Sequence, residues 1–269
     1  MNMWHYDFIK LAFLAILIVS PLFAMLGSMV VQNRMAFFSD AMGHSALTGI
    51  AIGACLGLQD PLCAMILFAL LLAGMIAYLQ KKGTASMDTV IGIVMSCAVA
   101  LGIVILSRGG GFAKYSVFLI GDLLSVTKAD LYRMTAVSIL FYLVWALFFN
   151  RLSLFSTSGS LAKSRKIPVF FTQLLFSAIV AIVVTLSIQW IGILVINSLL
   201  ILPAATARNI SKNLFHYCWA ATGVSLASGV IGLVISFKAS TATGATIVLV
   251  MMIFYIASVA LRRLMNRYC

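Results

Sequence analysis

"IPVFFTQLLFSAIVAIVVTLSIQWIGILVINSLLILPAATA", Ile167 to Ala207, contains no charged side chain. A helix crosses the roughly 30 Å of hydrocarbon in a bilayer with about 20 apolar residues. The stretch therefore holds two crossings, and Gln189, Trp190 and Gly192 mark the place to divide it. Working outward, further charge-free runs cover residues 11–33, 41–59, 61–80, 89–107, 134–150, 213–237 and 239–261. Together these make nine candidate spans. Residues 109–130 are ambiguous, being glycine-rich, then apolar, then polar.

The whole chain agrees with this reading. Of its 269 residues 63% are hydrophobic and 9% charged, with a mean hydropathy of +1.14. A soluble domain is about a quarter charged, so too little polar side chain is present here to cover a water-facing surface. Lipid cannot satisfy open backbone groups, which leaves helices or a closed barrel. A barrel would show alternating segments of about 10 residues, and none is seen. The expected fold is an all-α, polytopic membrane bundle of eight to nine transmembrane helices. The first run lacks a basic start and a small-residue cleavage site, so it reads as a span and not as a signal peptide.

The net charge of +12 is a statement about topology. With nine spans and an external N-terminus, the cytoplasmic segments hold Arg34, Lys81, Lys82, Arg151, Lys163, Arg165, Lys166, Arg208, Lys212, Arg262, Arg263 and Arg267. The external ones hold Lys10, Arg108, Lys114, Lys128, Arg133 and Lys238. The positive-inside rule then predicts N-out and C-in, and a nucleic-acid partner is not implied. Cys55, Cys63, Cys97, Cys218 and Cys269 show no CxxC or Cys/His zinc spacing and read as small packing residues. No GxxxxGK[ST] loop is present, so the chain does not bind ATP in that manner. No soluble domain fits, and residues 1–269 read as a single transmembrane domain. Its longest polar connection is cytoplasmic, about residues 150–168. Pro21 should kink the first span. Pro203 lies in a small-residue cluster, "LPAATAR", that either packs helices closely or kinks a path-lining helix.

Within this apolar frame "FFSDAMGHSALTG", Phe37 to Gly49, is out of character. All six acids are aspartates; Asp7, Asp60, Asp122 and Asp130 fall in external segments, and Asp88 sits at a helix start, where it favours the dipole. Asp40 alone has apolar residues on both sides. On a helix Asp40, His44 and Thr48 share a face. A carboxylate and an imidazole at that spacing can share a divalent cation, since both offer lone pairs suited to zinc or manganese. Intramembrane ionisable groups are costly, and are usually paired, solvated or functional. The other reading is an Asp–His pair that closes a helix end, with Asp40 near an N-cap; chemistry alone leaves both open. The HExxH pattern of metalloproteases is not met, because Asp-Ala-Met-Gly-His lacks the adjacent glutamate base. His5 and His216 read as solvated. Asn197 either supplies a carbonyl oxygen to a path or hydrogen-bonds between helices. Residues 158–166 are cytoplasmic by charge. They form either a short amphipathic helix that takes force from a soluble partner, or a loop held near anionic lipid by Lys163, Arg165 and Lys166.

Four segments in order then resemble one family, the permease subunit of ATP-binding-cassette importers for zinc and manganese, and more narrowly its bacterial zinc-uptake members. "NRMAFFSDAMGHSALTGIAIG" (Asn33–Gly53) is similar to the family's Asp-x-x-x-His signature, and "MDTVIGIV" (Met87–Val94) to its Asp-Thr helix start. "FLIGDLLSVTKADL" (Phe118–Leu131) is similar to its Gly-Asp/Asn-x-Leu-x-x-Val segment, and "IGILVINSLLILPAATAR" (Ile191–Arg208) to its late motif. The matches run from about residue 27 to 260.

The resemblance implies a homodimer in the cytoplasmic membrane, paired with a cytoplasmic ATPase that uses the ATP and fed by an external metal-binding protein. It implies transport and no chemistry of the chain's own. Asp40 and His44 match the positions proposed to handle metal in the family's pathway, with Thr48, Asn197 and Pro203 as path-lining candidates. Thr48 stands where many members have proline. Ser158, Leu161, Lys163, Arg165 and Lys166 fall in the region of the family's coupling helix, which usually carries an acid and here is basic and polar. The expected cargo is a divalent metal, zinc first, with manganese or iron as alternatives; no cofactor is bound permanently. A weak, open site of one Asp and one His suits transport, because an ion held tightly would not leave. A proton-coupled carrier or a membrane metalloprotease are the rivals, and each lacks the further acids, base or ligands it needs.

Overall fold

The computed structural model describes residues 5–58, 61–83, 85–109, 123–157 and 168–268. Among them the secondary structure is helical: α1 (Asp7–Gln32), α2 (Ala36–Cys55), α3 (Leu62–Lys82), α4 (Met87–Gly109), a 3-10 turn (Leu123–Ser125), α5 (Lys128–Thr157), α6 (Val169–Ile191), α7 (Ile193–Ile210), α8 (Leu214–Ala239) and α9 (Thr243–Tyr268). Eight of these helices are long and apolar enough to cross a membrane. The remaining one, α2, carries the Asp–His segment.

The division of Ile167–Ala207 falls at Gly192, whose φ of 83° is left-handed backbone that favours glycine. Its N–H still bonds to the Ile188 carbonyl at 3.0 Å, so α6 closes on the residue where the chain breaks. α1 and α7 run continuously through Pro21 and Pro203. Both boundaries of α5 depart from the hydropathy pattern. α5 begins at Lys128, ahead of the apolar run at 134, because Thr127 and Asp130 form a reciprocal cap. The Asp130 carboxylate accepts from the Thr127 N–H at 3.1 Å, and the Thr127 hydroxyl accepts from the Asp130 N–H at 3.2 Å. At its other end α5 continues to Thr157, because 150–157 contain neither glycine nor proline. The first part of the expected polar connection is therefore helix. Residues 158–167, with Ser158, Leu161, Lys163, Arg165 and Lys166, lie outside the described residues.

Asp88 is in the first turn of α4, as expected, but the cap there is Ser86, whose hydroxyl accepts from the Thr89 N–H at 3.3 Å. Asp7 pairs with Lys10 at 2.9 Å at the start of α1.

The helices form two compact units. One consists of residues 1–31, 122–142 and 194–269. In it α1 meets α7 so closely that a Cβ on Gly27 would lie 2.8 Å from the Leu200 Cα. Ala24, Ala204, Ala207, Tyr217 and Ala221 pack as one buried cluster of α1, α7 and α8. The small residues of "LPAATAR" thus serve close packing.

The other unit consists of residues 32–121 and 143–193, and α2 is its hub, packed on α3, α4 and α6. The α2–α3 crossing needs glycine: a Cβ on Gly49 would lie 2.6 Å from the Met65 Cα. α3 also packs on α6, where the side-chain amides of Gln80 and Gln173 pair and the Lys81 ammonium stands 4.7 Å from the centre of the Phe170 ring. Outward faces are apolar in both units: Leu101 and Val104 of α4, and Leu249 and Ile253 of α9, are exposed. Exposed leucine and valine without a polar surround suit contact with lipid.

Candidate translocation site

α2 buries many small residues and hydroxyls beside Phe38, Met42 and Ile50, and leaves its two ionisable groups partly exposed. Ser39, Ala41, Gly43, Ser45, Ala46, Thr48 and Gly49 are buried. The Ser39 hydroxyl turns back onto the Ala36 carbonyl, and the Ser45 hydroxyl bonds the carbonyl of Ala41. These hydroxyls are consumed by the helix's own backbone.

Asp40 and His44 stand apart. The His44 Nε2 lies 3.5 Å from the Asp40 Oδ1, with 40% and 34% of the two side chains exposed. The helical spacing therefore brings the pair together as expected. Asp40 is the fifth residue of a helix that begins at Ala36, beyond the first turn, so it is not an N-cap; that place is held by Met35.

A cavity of about 180 Å³ lies between α2 and α4, lined by His44, Thr48, Val99, Ile103 and Leu106 among others. A liquid water occupies about 30 Å³, so the space is large enough for several. Its walls are apolar apart from His44 and Thr48. Thr48 is fully buried, and its hydroxyl donates to the Ala98 carbonyl of α4 at 2.7 Å. That proton is committed to holding α2 on α4.

Asn197 is half-buried and Pro203 buried, both on α7 in the other unit. Among the described residues no group of three or more His, Cys, Asp and Glu side chains could hold a metal ion. His5 and His216 are exposed.

Residues 5–262 match the ABC 3 transport family. The chain belongs to that family. The permease is 32% identical over 253 residues to the high-affinity zinc uptake system membrane protein ZnuB of Haemophilus influenzae, covering 92% of this chain and 95% of the relative. It is 29% identical over 253 residues to the manganese import system permease protein ScaB of Streptococcus gordonii, covering 94% and 91%. Its fold superposes on PsaBC from Streptococcus pneumoniae, solved in complex with a Fab, with a TM-score of 0.82 and 28% identity, covering 96% of this chain and 92% of that one. The permease is accordingly a multi-pass protein of the cytoplasmic membrane and a transport subunit of an ABC importer, not an enzyme in itself.

Proposed function

We propose that the permease carries a divalent transition metal inward, most favourably Zn²⁺, and that Asp40 and His44 form a transient station for the ion. The observation that carries this reading is the half-exposed Asp40–His44 pair on a helix whose other polar groups are buried or spent on backbone. Facing lipid, such a pair would cost several kcal/mol. Facing a watered path, it replaces part of an ion's hydration shell.

Two ligands leave most of the coordination sphere to water. This keeps the ion mobile, as transport requires. Neutral imidazole and ionised carboxylate are the binding forms, so protons compete with the metal. Imidazole favours zinc and a carboxylate favours manganese; relatives are named for each metal, and one group of each kind leaves both ions in play.

Membership of the family supports the rest of this reading. The whole chain, residues 1–269, works as one permease domain, N-out and C-in, and pairs with a second copy. A separate ATPase hydrolyses the ATP and an external binding protein delivers the metal. Residues 158–166 receive the ATPase. The test is uptake of zinc, manganese and iron in proteoliposomes holding the permease with its ATPase and binding protein. ATP-dependent zinc uptake is expected, with manganese a weaker competitor than unlabelled zinc. Uptake that proceeds unchanged without ATP or ATPase would remove the proposal.

A further inference from the structure

In the unit built from α1, α7, α8 and α9 the ends of α7 and α9 meet through a polar chain that the transport reading does not use. The Asn209 amide donates to the Ser258 hydroxyl at 3.0 Å, and the Arg262 Nη1 donates to the Asn209 carbonyl oxygen at 3.2 Å. Asn209 thus takes one of the five Arg262 guanidinium donors, and the residue is exposed. Arg208 adjoins Asn209 in the last turn of α7, Lys212 follows in the connection, and Arg263 adjoins Arg262; all are exposed.

None of these cations stands within salt-bridge distance of a carboxylate among the described residues; the acids that form ion pairs there are Asp7, Asp40 and Asp130. The helix dipole accounts for Arg208 in its last turn. The positive-inside bias fits the side on which Arg262 lies, well before the end of α9, but not its bond to Asn209, which fixes where the guanidinium points.

The depth of this cluster is marked by its neighbours. α8 starts at Leu214, just after Lys212, with Phe215 and Trp219 exposed and stacked edge to face, their ring centres 6.0 Å apart. Exposed aromatic rings that follow a basic residue along the chain, as these follow Lys212, mark the membrane–water interface, where phospholipid headgroups lie. Immediately along α9 the exposed side chains turn apolar, at Ile256 and Ile253.

From these residues we propose that the ends of α7 and α9 bind the phosphate of an anionic phospholipid. Arg262 is held by Asn209, Arg208, next to Asn209 in the chain, supplies the second cation, and Phe215 and Trp219 mark the headgroup depth. A phosphodiester offers the acceptors that two guanidinium groups match as charge-assisted hydrogen bonds.

The experiment uses the full-length permease, purified and delipidated, then offered mixed micelles of phosphatidylglycerol and phosphatidylcholine, or inorganic phosphate alone. Bound lipid is counted by native mass spectrometry. Wild type is expected to retain phosphatidylglycerol in preference, and each cation removed costs about fivefold of that preference. Arg262→Gln and Arg208→Gln lose it in that measure, Arg262→Lys keeps most of it, and Asn209→Ala lowers it without removing a charge. Thermal unfolding of each variant checks that it is folded, and Asn209→Ala carries the comparison if a glutamine variant is not. Equal preference in wild type and the glutamine variants overturns the proposal. So does protection by inorganic phosphate equal to that by the lipid, or loss of ATPase co-purification with lipid preference intact.

Discussion

Gly102 of α4 lies against Thr48 of α2 so closely that a Cβ at 102 would stand 3.1 Å from the Thr48 Cα, while the Thr48 hydroxyl donates to the Ala98 carbonyl one turn earlier on α4. One crossing thus combines close approach with a hydrogen bond, directly beside His44 and the cavity. It sets where α4 stands relative to the station on α2.

Enlarging this crossing should separate the helices. Gly102→Val is expected to cost about 1–3 kcal/mol, as overpacking does. Unfolding in detergent would show it, with uptake falling in proportion to any change in the α2–α4 spacing. Wild-type stability in this variant would mean that the crossing is looser than described.

Thr48 separates packing from path lining. Thr48→Val keeps the shape and removes the donor, so about 1 kcal/mol of stability should be lost with metal uptake near normal at equal membrane abundance. Thr48→Ser should restore the stability. A large uptake defect in a fully stable Thr48→Val protein would make the hydroxyl a ligand instead.

The Gln80–Gln173 amide pair ties α3 to α6 in the helical hub. Replacing one glutamine by leucine leaves its partner half satisfied; replacing both leaves an apolar contact. Each single variant is expected to lose about 0.5–2 kcal/mol. The double variant should lose less than the sum of the two. Additive losses in a double-mutant cycle would show that the amides do not interact.

The helix framework was legible in the sequence because its cause is local. Charge-free runs of membrane length become helices, and the long run Ile167–Ala207 divides at Gly192, where only a left-handed residue is comfortable. The start of α5 was also written there, as Thr127-Lys-Ala-Asp130, a capping pattern that hydropathy alone overlooks. The pairing of Asp40 with His44 followed from helical spacing.

The crossings were not legible. Gly27, Gly49 and Gly102 meet Leu200, Met65 and Thr48, far away along the chain, and nothing near a glycine in a sequence says which helix will press on it. Thr48 reads from the sequence as a path-lining candidate; that it lines the cavity and also bonds a carbonyl on α4 depends on a helix 50 residues away. The Asn209–Ser258–Arg262 chain joins two helix ends that no spacing rule relates.

The central claim, that Asp40 and His44 handle the ion, is tested most directly by radiolabelled zinc uptake with Asp40→Ala and His44→Ala at matched membrane abundance. Loss of a metal ligand should reduce the rate at least about tenfold in each variant, with thermal stability close to wild type because both side chains are half-exposed. Wild-type zinc uptake in both variants would contradict the account and leave Asp40 and His44 as a structural pair on α2.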